Sequence, residues 1–144
     1  MNVHEFIHGY EQVLKAFGRW PSFHDGEVHR VILDRTRKAE NGDFFPSIEL
    51  LVHGWNMTSE VTKDGYYKLE QQHIVHFLFE YVTDLELDGL NHQNVLSGLD
   101  FTLVKDGNSS NNILSIELVH CYGLSGSFKA RQAKIQAVTP YANN

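Results

Sequence analysis

The 144-residue chain contains a single cysteine, Cys121. No internal disulfide framework can hold it together, and a lone thiol fits a reducing compartment. No apolar run approaches the roughly 20 residues that a membrane helix needs. The longest patch, HIVHFLFEYV, is broken by His76 and Glu80. The opening MNVHEFIHGYEQ shows neither a basic n-region nor an apolar h-region, which argues against a secretory signal. Lys and Arg are missing between Lys68 and Lys105, although Glu70, Glu80, Asp84, Glu86, Asp88 and Asp100 all fall there. Together these absences lead us to expect a soluble cytoplasmic protein with no membrane contact.

What is present fits one ordinary domain over residues 1–144, long enough to bury a useful core. Eighteen acids against 12 bases leave a formal charge of -6, unevenly placed. After Glu117 the charged side chains are only Lys129, Arg131 and Lys134. Acids gathered on one surface repel nucleic acid and attract a basic protein, so nucleic acid is not an expected partner.

Val3, Phe6, Ile7, Tyr10, Val13, Leu14 and Phe17 recur at threes and fours, which predicts an amphipathic helix over 3–17. Asn2 and Glu5 have the spacing of a capping box, and Gly18 stands where a C-cap glycine belongs. Gly9 weakens the middle of that helix by about 1 kcal/mol. From Glu27 onward the period shifts toward two. Alternation through Val31 and Leu33, through 48–53, 74–81 and 99–104, and around Ile116 and Leu118 predicts strands. Turn formers separate them at Asn41-Gly42-Asp43, Lys63-Asp64-Gly65, Asp88-Gly89, 105–108 and 123–127. The expected fold is α+β and strand-dominated: an N-terminal helix followed by a mainly antiparallel β-sheet or small sandwich.

Candidate chemistry centres on Trp20-Pro21-Ser22-Phe23-His24-Asp25. Adjacent residues on a strand face opposite ways, so His24 and Asp25 form a joint site only in a turn. One reading is structural: Pro21 restrains the backbone, Trp20 and Phe23 supply apolar area, and the Asp25 carboxylate accepts backbone N–H bonds ahead of the strand. The other readings are a small hydrolase using His24 and Asp25, or a binding surface that includes His24. His4 and His8 are spaced i,i+4 and could form half of a zinc site, but zinc takes three or four protein ligands and no cysteine pair completes them. His73 and His76 should face opposite sides of one strand, and Cys121 is expected to be buried or half-buried. GxSxG is absent. No cofactor, metal or catalytic residue is assigned. Glu80, Asp84, Glu86 and Asp88 are the candidate partner-binding residues, with Phe77, Phe79, Leu85 and Leu87 anchoring their sheet.

The stretch WPSFHDGEV at 20–28, followed by Val31-Ile32-Leu33-Asp34-Arg35 and a late Gly126-Ser127-Phe128, resembles the Immunity protein 50 family of bacterial polymorphic toxin systems. The resemblance runs from the N-terminal helix to about Val138; WPSFHD-x-E-V is its most specific part, and the family pattern carries Ala at the position of Gly26. It implies a small cytoplasmic protein that binds and neutralises a cognate toxin domain, such as a basic nuclease, and it transfers no catalytic residues. A non-catalytic binding protein for another protein or a small ligand is the alternative class.

Overall fold

Helical spacing alone does not keep the N-terminus helical. The computed structural model describes residues 2–61, 63–65 and 67–141, with side chains described outside 57–61 and 67–70; the Glu70 side chain of the base-free stretch therefore lies outside the described residues. Val3–Phe6 is a 3-10 turn and Tyr10–Phe17 is helix α1. Between them the chain is extended. The His8 N–H donates to Ala133 O at 2.9 Å, and the Ile135 N–H donates to His8 O at 2.8 Å. The single helix expected over 3–17 is thus corrected to two pieces. Ile7 is fully buried, and Gly9, at φ 86, reverses the chain in a conformation open to glycine. At the other end Gly18 behaves as expected: it adopts φ 78 and its N–H donates to Leu14 O at 2.8 Å.

Among the described residues six strands follow: β1 (Glu27–Lys38), β2 (Phe44–Val61), β3 (Tyr67–Asp88), β4 (Val95–Lys105), β5 (Asn112–Tyr122) and β6 (Ser125–Pro140). All neighbours are antiparallel, and the order β1-β2-β3-β6-β5-β4 closes into a barrel. Directly paired residues share a face, and the pairs Val52–Val75, Leu50–Phe77, Ile48–Phe79, Phe79–Ala133 and Ile116–Phe128 put the apolar half of each alternation inside. All of these side chains are buried. The rings fit by size. Ala130 and Ala133 leave room for Phe77, Phe79 and Phe128, and Phe128 meets Phe79 edge-on at 5.1 Å.

α1 lies across one end of this barrel. Its buried residues Val13 and Phe17 face inward, and Phe17 packs against Phe23 and His73. Asn56 Nδ2, at the end of the well-paired part of β2, donates to Phe17 O at 2.6 Å and fixes the helix C-terminus to the rim.

Candidate interaction surface

Residues 20–28 form the seam of the barrel. β1 and β4 are paired only at Glu27–Val95, and the remaining closure comes from the turn before β1. The Asp25 N–H donates to Leu96 O and the Leu96 N–H to Gly26 O, both at 2.8 Å; the Val28 N–H donates to Asn94 O at 2.9 Å and the Leu99 N–H to Ser22 O at 3.2 Å. His24 Nδ1 donates to Ser97 O at 2.9 Å, which requires the proton on that nitrogen. Phe23, 1 % exposed, is the anchor. It meets Trp20, Phe17 and Phe77 edge-on, and the absence of a side chain on Gly54 makes room for it, since a Cβ there would lie 2.9 Å from its ring. Pro21 and Trp20 lead into this turn, with Trp20 stacked on His4 at 4.9 Å. Gly26 lets the turn tighten: an alanine Cβ would lie 2.8 Å from Phe23 O.

One expectation about this turn is corrected. Among the described residues the Asp25 carboxylate accepts no backbone hydrogen bond; it is half exposed and sits 3.6 Å from His24 Nε2. Asp25 contributes through its backbone, at φ 61, a left-handed conformation that Asp tolerates better than most residues. Asp25→Ala should therefore cost about 1 kcal/mol through φ alone, with Asp25→Gly close to neutral and His24→Ala costing about 0.5 kcal/mol. Urea denaturation of the three variants checks this, and a glycine variant as damaged as the alanine would return the role to the carboxylate.

His29 and His53 pack with ring centroids 5.6 Å apart, but His4 and His8 do not form a joint site. His4-Glu5-Phe6-Ile7-His8 spells HExxH, whose chemistry needs both imidazoles on one face of an α-helix. Here His4 sits on the 3-10 turn against Trp20, His8 lies on the extended bridge to β6, and Glu5 accepts from the Asn2 N–H at 3.1 Å. Among the described residues no group of three or more His, Cys, Asp or Glu is placed to hold a metal. His73 packs on Phe17 while His76 Nε2 donates to Glu49 at 2.8 Å on the opposite face. Cys121, expected to be buried or half-buried, is exposed near the end of β5.

The acidity of the His53 imidazole is shifted. Burial beneath Tyr141 and Trp55 lowers its pKa from the ordinary 6.5; nearby His29 lowers it further, and the hydrogen bond to Gln72 opposes the shift. A depressed histidine protonates first in the unfolded chain, so its contribution to stability is intact above about pH 6.5 and is lost as pH falls through the folded value. The melting temperature should fall between pH 7.5 and pH 5, and His53→Gln should flatten that slope; equal slopes in the two proteins would reject the assignment.

The proposed acidic residues fare unequally. Glu80 is 6 % exposed. Its Oε1 lies 3.1 Å from Lys134 Nζ and its Oε2 4.0 Å from Arg37 Nε. It is committed inside the molecule, which corrects its assignment to a partner surface. Leu85, expected to anchor the sheet, is 40 % exposed, because the irregularity between Thr83 and Glu86 swings it out. Asp84, at φ 55 in the same irregularity, is exposed and 3.3 Å from Lys129 Nζ. Glu86 and Asp88 are exposed and take part in no ion pair among the described residues. Sequence reasoning passed over Glu117. Register places it opposite Asp100 on one side and Ser127 on the other, and Ser127 opposite Glu86. Asp100, Glu117 and Glu86 thus form an exposed row across four strands. Like charges directly opposite each other cost stability, so this row is an arrangement that folding by itself does not favour.

The family model for Immunity protein 50 matches residues 9–141, covering α1, the seam and all six strands, and the chain belongs to that family. Membership points to a role in toxin immunity. No curated protein and no solved structure matches the chain. Among the described residues no helix is long and apolar enough to cross a membrane.

Proposed function

We propose that this chain is a non-catalytic cytoplasmic immunity protein of a bacterial polymorphic toxin system, acting as one unit that binds and inhibits a cognate toxin domain. The observation that carries the reading is the family match over residues 9–141. The exposed acids add the partner's chemistry. Asp84, Glu86 and Asp88, extended by Glu117 and Asp100, suit a toxin with a basic surface, such as a nuclease whose cleft attracts phosphate. Co-expression with the toxin domain encoded beside this gene should restore growth, and the two proteins should co-purify. Continued killing by a soluble, expressed toxin, with no co-purification, would reject the proposal.

A further inference from the structure

The barrel seam is short. Among the described residues β1 has a β4-side partner only at Glu27 and Val28, and beyond them no described strand or loop pairs with that edge, while the connection after β3 diverges from it. A cleft of about 330 Å3 opens in between, lined by Val31, Leu33, Leu87, Leu90 and Leu124 together with Asp88 and Gly89. The consequence shows at Leu33. It shares a face with its β2 partner Ile48, which is 1 % exposed, yet Leu33 is 57 % exposed and Leu90 across the cleft is 68 % exposed. Between its two irregularities, at Val28/Arg30 and Asp34/Arg37, β1 is regular from Arg30 to Asp34. An unpaired regular edge beside a grouped apolar surface is a template for another strand.

We propose that the occupant is a second copy of this chain, its β1 pairing antiparallel with the first across a two-fold axis at Ile32. Charge selects this occupant and this register. With Ile32 opposite Ile32, Arg30 faces the second copy's Asp34 and Asp34 its Arg30, while Val31 faces Leu33. A shift by one residue places Arg30 opposite Arg35, and a two-fold axis at Asp34 places two carboxylates face to face. The Ile32-centred register satisfies both charges twice and covers the exposed Leu33 side chains, as a self-complementary two-fold interface requires. It also carries the second copy's hairpin tip, with its exposed Phe44 beneath Arg35 and Lys38, toward the connection that bears Leu90.

Sedimentation velocity of the full chain over a range of concentrations should show an equilibrium between 16.5 kDa monomer and a dimer of twice that mass. Arg30→Glu and Asp34→Lys should each weaken the dimer at least tenfold, and R30E/D34K should restore it. Asp34 also accepts from the Thr36 N–H and hydroxyl, both at 2.7 Å, so melting curves accompany each variant; rescue by the double variant is what a purely structural role of Asp34 does not produce. In a Cys121→Ser background, Ile32→Cys should oxidise to a symmetric disulfide dimer while Gln132→Cys on β6 does not. A chain that stays monomeric at its highest soluble concentration would overturn the proposal. So would a dimer indifferent to Arg30 and Asp34 that fails to cross-link through position 32.

Discussion

Phe23→Ala is expected to destabilise the protein by about 3–5 kcal/mol, the range for deleting a fully buried phenyl group. The ring fills the space over Gly54 at the α1 end of the barrel and touches Phe17, Trp20 and Phe77. Its loss therefore empties the junction between helix, seam and barrel at once. The backbone offers no compensation. Phe23 lies at φ 59, and alanine carries the same Cβ into that left-handed conformation. Phe23→Leu should recover a large share of the loss because it refills volume without changing φ. Guanidinium denaturation monitored by Trp20 and Trp55 fluorescence reads both variants. A loss below about 1.5 kcal/mol for F23A would mean that α1 settles into the space and that the seam does not depend on this anchor.

Charge reversal at Glu86 and Asp88 should have the largest effect on partner binding. Electrostatic steering changes association rates by roughly 10- to 1,000-fold, and these exposed acids are free of ion pairs among the described residues. E86K/D88K should slow association with a basic toxin at least tenfold, weaken its salt dependence, and leave the melting transition nearly unchanged. Glu117→Gln is a useful companion. It relieves the repulsion with Asp100 and should raise stability by about 0.2–1 kcal/mol, while slowing association. Stopped-flow mixing at low and physiological salt, set beside melting curves, separates the two effects. A wild-type rate that does not change with salt would place the interface away from these acids.

Much of the architecture is legible in local patterns. The helix at 10–17 and its Gly18 stop follow from spacing and from glycine's tolerance of positive φ. The strands around 48–52, 75–81, 99–103 and 116–118 follow from alternation, because side-chain direction along a strand depends only on immediate neighbours. WPSFHDGEV was legible as a family signature before its task was visible. That task belongs to tertiary structure: the segment binds β4, some 70 residues later, and closes the barrel. The same holds for the acids. Nothing local distinguishes Glu80 from Glu86, yet one is held between Lys134 and Arg37 and the other joins Glu117 and Asp100 in an exposed row. A one-residue change of register would exchange the faces. The sequence by itself determined the elements and the family, through contacts between near neighbours. Only the tertiary structure decided the closed barrel, the split N-terminal helix and which charges meet, because pairing between distant strands sets all three.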